Sequence, residues 1–368
     1  MRIRAAIADA QTTPFVIEEL ELDDPQDDEV LVRVVATGIC QTDAHVWHQR
    51  IPAPLPMVLG HEGAGVVERV GEGITDLEPG DHVVLSFQAC GECPQCLSGN
   101  PAYCERTAAV NFGGTRRDGT RALHRAAGDV NGHFFGQSSF ATHALTTRRN
   151  TVKVSKDVPL ETLAPLGCGV QTGAGAVLNS FALAEGDTIA VFGVGAVGFS
   201  AVMAARAAGA ATIIAVDVNE QRLALAEELG ATHAVNARNA EDVTDAIKVI
   251  ASAGVDFVLD TTGRPDMLAH AVSSLASMGQ VGLVAGAAPE AVIRATDLAM
   301  GKSVRGIIQG DATPQLFIPR LVQMYIDGLL PIDRLLKFYD FEDINTAFSD
   351  AAGGDVVKPV LRFDGNRT

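Results

Sequence analysis

The stretch Val191-Phe-Gly193-Val-Gly195-Ala-Val-Gly198 restricts the fold more than any other part of the chain. It sets Gly-x-Gly-x-x-Gly spacing directly after an apolar run, the pattern of a strand, a tight turn and a helix start. The first glycine permits the turn, the second lets a pyrophosphate approach the backbone, and the third lets helix and strand touch. The free N–H groups that open the helix then face an anion. Around this motif apolar runs alternate with helix-length segments. Strands are predicted at 188–193, 212–217, 232–235, 255–260, 280–285 and 304–308, and helices at 197–208, 219–229, 239–252 and 264–276. Such alternation predicts an α/β unit with an open, doubly wound parallel sheet of Rossmann form. Thr188–Ala205 carries no charge, but its glycines fit a strand, a turn and a buried helix better than a membrane span.

The second predicted strand ends in Ile213-Ile-Ala-Val-Asp217, which puts a carboxylate where the adenosine ribose of a dinucleotide lies. Asp217 would accept hydrogen bonds from the ribose and repel a 2′-phosphate. NAD is therefore expected over NADP.

A chain of 368 residues is long for one core, so two domains are expected. Ahead of residue 170 the texture is that of short strands and turns: Ile3–Ala8, Glu29–Ala36, Gly65–Val70 and His82–Ser86, with a turn at Pro79-Gly80-Asp81. This reads as a mostly β, barrel-like domain. The terminal run Val356–Phe363 reads as a strand that returns to it. The expected division is 1–169 with 309–368, and 170–308. The balance of 28 basic against 45 acidic residues, a formal charge of -17, opposes binding to nucleic acid or an anionic membrane.

The chain has six cysteines. Cys90-Gly-Glu-Cys93-Pro-Gln-Cys96 followed by Cys104 has the ligand set of a closed tetrahedral zinc site, which is structural. Free thiols or local bridges are the duller reading, and the spacing with no evident export signal favours metal and a reducing cytoplasm. Cys40 and Cys168 are left. Cys40 stands in Gly38-Ile-Cys40-Gln41-Thr42-Asp43-Ala-His45, and His61 in Gly60-His61-Glu62-Gly63.

Taken together, Gly60-His-Glu with Gly65 and Gly71, the four-cysteine lobe, Cys168 and the glycine turn resemble the zinc-dependent medium-chain alcohol dehydrogenases nearly end to end. The resemblance implies a GroES-like β domain beside the Rossmann domain, two Zn2+ per chain, and NAD. It assigns Cys40, His61 and Cys168 to a catalytic zinc, with Glu62 behind it and Asp43 bonded to His61. It implies oxidation of a primary alcohol to an aldehyde, with the proton passing from Thr42 toward His45. It places Gln41, Thr172, Gly193, Gly195, Ala196, Val197, Gly198, Asp217, Val284, Ala285 and Lys358 at the cofactor. Gln41 departs from the family, which often carries Arg or His there. A neutral amide would hold the pyrophosphate less tightly, with Lys358 compensating in part.

Ser86-Phe87-Gln-Ala-Cys90-Gly, His133–Ala141 and Cys168–Ala176 resemble the aryl-alcohol subgroup and suggest Ser86, Phe87 and Phe135 as pocket walls. A rival is a dehydrogenase of formaldehyde–thiol adducts, in which Arg116, Arg117, Arg121 and Arg125 would meet the thiol's carboxylate. A rival of another class is a zinc-binding protein that has lost catalysis. A cytoplasmic homodimer or homotetramer is expected, with the strand near 304–308 pairing across subunits.

Overall fold

A computed structural model describes residues 1–126, 128–286 and 290–363. The chain divides into two compact units. The first comprises Met1–Cys168, Thr313–Ile326 and the described residues from Ile332 onward; the second comprises Gly169–Ala312 and Asp327–Pro331. The last five residues of the expected 309–368 segment lie outside the described residues.

The first unit is built on two sheets. Glu29–Gly38 is the central strand of the larger one, antiparallel to Gly63–Val70, His143–Thr147 and Lys358–Arg362. Its Val/Leu-rich sequence buries nine of ten residues, as fits a strand flanked on both sides. The pairing Val360↔Gly38 brings the end of the chain against the start of the Gly38–His45 segment. The smaller sheet pairs Arg2–Ala8 with Val16–Leu22 and Met57–Val58. At the predicted turn, Gly80 takes φ +90° and donates to Val67 O at 2.8 Å.

The second unit holds six parallel strands in the order 233–236, 212–217, 188–192, 255–260, 275–283, 303–306. In chain order this is 3-2-1-4-5-6, the doubly wound arrangement. The uncharged stretch divides as expected into Thr188–Phe192, a turn and the helix Ala196–Ala207. Among the described residues no helix is long and apolar enough to cross a membrane.

Two boundaries moved. The helix predicted from 239 begins at Val243, because Asp242 caps it by accepting the Asp245 N–H at 3.0 Å. The fifth strand begins at Leu275 instead of 280, with a shift of register around Met278, whose φ is +66°.

Candidate active site

Cys40 follows the central strand and caps the helix Gln41–Trp47, its extended backbone (φ −119°, ψ 156°) turning the chain outward. Three residues on, the buried Asp43 works in three directions. Its Oδ2 accepts the Cys40 N–H at 2.9 Å, while Oδ1 accepts the Gly60 N–H at 3.1 Å and lies 2.9 Å from His61 Nδ1. One carboxylate thus ties the Cys40 turn to the His61 segment. With Nδ1–H donated to Asp43, the ring in its neutral form would offer the Nε2 lone pair to a metal.

One donor atom each from Cys40, His61, Glu62 and Cys168 lies within 4.8 Å of the others. The Cys168 hydrogen bond holds the Cys40 thiol well below its ordinary range, against burial and with help from His61. That bond and burial push Cys168 well above its own. The pairing thus favours a thiolate on Cys40. Burial would depress His61, but the Asp43 carboxylate and Cys40 raise it well above the usual imidazole value. His61 Nε2 is buried and has no hydrogen-bond partner among the described residues. Two sulfurs and an unpartnered imidazole nitrogen fit a soft divalent metal with one position left open.

Glu62 stands beside these donors but is gripped from behind. Lys358 Nζ lies 3.0 and 2.9 Å from its two carboxylate oxygens and 3.0 Å from Ile39 O. Burial raises Glu62 with Lys358 opposing; burial would lower Lys358, but Glu62 and Cys40 hold it above its ordinary value. Lys358 is only 3% exposed, and its three N–H donors are committed. The Lys358 ammonium thus neutralises a buried carboxylate beside the cluster.

The other four cysteines close on themselves. One sulfur from each of Cys90, Cys93, Cys96 and Cys104 lies within 4.8 Å of the rest, and all six cysteines of the chain are free of disulfides. Cys104 Sγ accepts the Cys90 N–H and Cys90 Sγ the Cys93 N–H, both at 3.3 Å. The amides of Cys96 and Glu105 bring the Cys93 thiol down to about 6. Backbone donors aimed at sulfur favour thiolates, which a four-sulfur metal site requires.

In the second unit Gly193 takes φ +85° and donates to Val216 O at 2.8 Å. A Cβ added at Gly198 would strike the Gly193 carbonyl, whereas one at Gly195 would project into open space. The turn is closed where helix meets strand and open where a phosphate would approach. Ala196 and Val197 begin the helix that Gly195 caps. Asp217 Oδ2 accepts the Val194 N–H at 2.8 Å, and Oδ1 those of Val218 and Asn219 at 2.7 and 2.9 Å. Thr172 lies in the helix Gly169–Gly175. Val284 and Ala285 follow the fifth strand, with Val284 N–H bonded to Asp260 O at 3.1 Å. These residues fit a dinucleotide.

Residues 26–156 match the family model "Alcohol dehydrogenase GroES-like domain", and residues 196–324 match "Zinc-binding dehydrogenase". The chain is 46% identical over 364 residues to a geraniol dehydrogenase of Castellaniella defragrans, covering 98% of this chain and 97% of that one. The chain belongs to the zinc-dependent medium-chain alcohol dehydrogenases. Two crystal structures are similar throughout. A zinc-binding-domain alcohol dehydrogenase protein from Burkholderia ambifaria has a TM-score of 0.97 at 52% identity, covering 99% and 100% of the two chains. The benzyl alcohol dehydrogenase of Acinetobacter calcoaceticus has a TM-score of 0.95 at 46% identity, covering 99% of each.

In this alcohol dehydrogenase the suggested pocket walls separate. Phe135 stacks on the His61 imidazole, ring centroids 4.5 Å apart and planes 25° from parallel. Phe87 is packed in the core. Ser86 is fully buried and its Oγ donates to Gly167 O at 2.8 Å. The four arginines of the thiol-adduct rival all pair with carboxylates: Arg116 with Glu29 and Asp23, Arg117 with Glu92, Arg121 with Asp129, Arg125 with Asp9 and Glu18. Thr42 and His45 lie three apart on one helix, and Gln41 is exposed at its start. The sequence reading missed the Glu62–Lys358 pair and Gln137, whose partners lie 296 and about 75 positions away, beyond any local pattern.

Proposed function

We propose that the enzyme oxidises aromatic or allylic primary alcohols to aldehydes, reversibly, using NAD and two zinc ions per chain. The observation that carries the reading is the Cys40, His61, Cys168 cluster, with Asp43 on one imidazole nitrogen and the other without a hydrogen-bond partner among the described residues. Cys40, His61 and Cys168 would hold the catalytic zinc, and Cys90, Cys93, Cys96 and Cys104 the structural one. When bound, zinc supplies a Lewis acid and NAD the hydride acceptor.

The protein's own groups supply alignment and a route for the proton. Thr42 Oγ receives the alcohol proton, and His45, on the same face of the helix, carries it toward solvent. Burial and then Arg50 hold His45 below its usual value, which favours the neutral, proton-accepting imidazole. Asp43 fixes the tautomer of His61. Glu62 is kept beside the cluster by Lys358. Gly193, Gly195 and Gly198 with Ala196, Val197, Thr172, Val284 and Ala285 receive the dinucleotide, and the Asp217 carboxylate favours NAD over NADP. Gln41, which offers an amide in place of a cation, releases NADH readily.

Aromatic or allylic preference is supported by the likeness to the geraniol and benzyl alcohol dehydrogenases, and Phe135 is kept as a pocket wall. The pairing of Arg116, Arg117, Arg121 and Arg125 weighs against a thiol-adduct substrate. A cytoplasmic location is supported by the six cysteines, none of which forms a disulfide, and Ser303–Gly306, the last strand in the order of its sheet, is where a second copy of a homo-oligomer would pair. A panel of benzyl alcohol, geraniol and ethanol with NAD and no added thiol tests the reading. Turnover is expected on the first two, and a strict requirement for a thiol would overturn it.

A further inference from the structure

Gln137 is 1% exposed and uses both ends of its carboxamide. Nε2 donates to His61 O and to Ser86 O, each at 3.0 Å, and Oε1 accepts the Gly63 N–H at 3.0 Å. The His61 carbonyl and the Gly63 N–H lie on either side of Glu62. One side chain thus grips the backbone at both ends of the segment that carries two of the four clustered donors.

The loop bearing Gln137 backs the same segment. Ser139 N–H donates to Gly60 O and Phe140 N–H to Leu59 O, both at 3.0 Å. A Cβ at Gly63 would lie 2.8 Å from Ser139 Cβ and 3.1 Å from Gln137 Oε1, so there is no slack. His133, Phe135 and Ser138 take φ of +55°, +53° and +50°, conformations that persist only where the surroundings over-determine them. Asn150 Nδ2 supplies part of that by donating to Phe135 O and Gly136 O at 3.3 and 3.0 Å, and Ser138 Oγ donates to Val58 O at 2.6 Å. The platform under Gln137 is stiff.

We propose that Gln137 is a positioning residue for the alcohol dehydrogenase reaction. Its carboxamide fixes the His61–Gly63 backbone, and through it where His61 Nε2 and the Glu62 carboxylate stand relative to the Cys40 and Cys168 sulfurs. Methionine keeps the length without the bonds. Glutamate keeps the acceptor but turns a carboxylate toward two carbonyls. The inference rests on Cys40, His61 and Cys168 being the catalytic metal's ligands.

The test uses the full chain loaded with cobalt(II), reading the absorption bands that are lost in Cys168→Ser. Gln137→Met is expected to keep its metal, shift those bands and lower kcat/KM about 100-fold, chiefly in kcat, as a displaced positioning group does. If the methionine variant does not fold, Gln137→Glu is read by the same criteria. Unshifted bands with kcat/KM within about threefold of the parent overturn the proposal. A lower Tm with unshifted bands and unchanged kcat also overturns it, since that is a purely structural role. Parent bands that survive in Cys168→Ser remove the ligand reading and this inference with it; bands tied to Cys168 but indifferent to Gln137 remove the inference alone.

Discussion

Lys358 and Glu62 form a buried ion pair 2.9 Å long, one partner on the last strand and the other beside His61. Neither charge reaches solvent, so each depends on the other. Lys358→Met is expected to cost about 3–5 kcal/mol of stability, the usual result of stranding one member of a buried pair. Adding Glu62→Gln should recover much of that loss. Denaturant unfolding of both single variants and the double variant checks the coupling; strictly additive losses would contradict it.

His45 makes a prediction in pH. Its imidazole is depressed, mainly by burial, so its proton-accepting form persists below the ordinary value of 6.5 and is lost as pH falls through the lower folded value. That titration should shape the acid limb of the pH–rate profile. His45→Gln is expected to flatten this limb and leave zinc content unchanged. An unaltered limb would take His45 out of the proton route.

Glu29 anchors the far side of the loop that holds Phe135. Its carboxylate accepts from Arg116 Nε at 2.9 Å and Nη2 at 3.1 Å, and lies 3.3 Å from His133 Nε2. Burial would raise it, but His133, Arg116 and the Gln26 N–H together bring it from 4.5 to about 2. A depressed carboxylate stabilises fully above its unfolded value and loses that contribution as pH falls toward its folded one. Glu29→Gln should therefore cost about 3–5 kcal/mol near neutrality. The difference from the parent should shrink between pH 4.5 and about 2. Thermal unfolding at several pH values measures it; a constant difference would contradict the assignment.

The proposed cofactor roles of Asp217 and Gln41 each make a prediction. Asp217→Gly is expected to raise the NADP/NAD ratio of kcat/KM by about tenfold or more, since a 2′-phosphate no longer meets a carboxylate. Gln41→Arg is expected to slow NADH dissociation, which stopped-flow fluorescence measures directly.

The sheet of the second unit was legible because each strand is an apolar run punctuated by glycine or an acid, and the order follows from the glycine turn. Its errors were local: the Asp242 cap trims a helix, and the Met278 shift of register lengthens a strand. Cys40, His61 and Cys168 could be brought together only by resemblance, because sequence spacing carries no distance. Partners were harder. Nothing local in the sequence ties the Ser86 hydroxyl to Gly167 O or the Lys358 ammonium to Glu62. Such pairs depend on the register of strands far apart in the chain, such as Val360 against Gly38.

The central claim is that Cys40, His61 and Cys168 hold a catalytic zinc distinct from the four-cysteine site. Zinc per chain, measured beside NAD-dependent benzyl alcohol oxidation in the parent and in Cys40→Ala, tests it most directly. The account predicts about two zinc per chain in the parent and about one in the folded variant, with activity abolished. A Cys40→Ala chain that keeps both ions, or keeps its turnover, would contradict it.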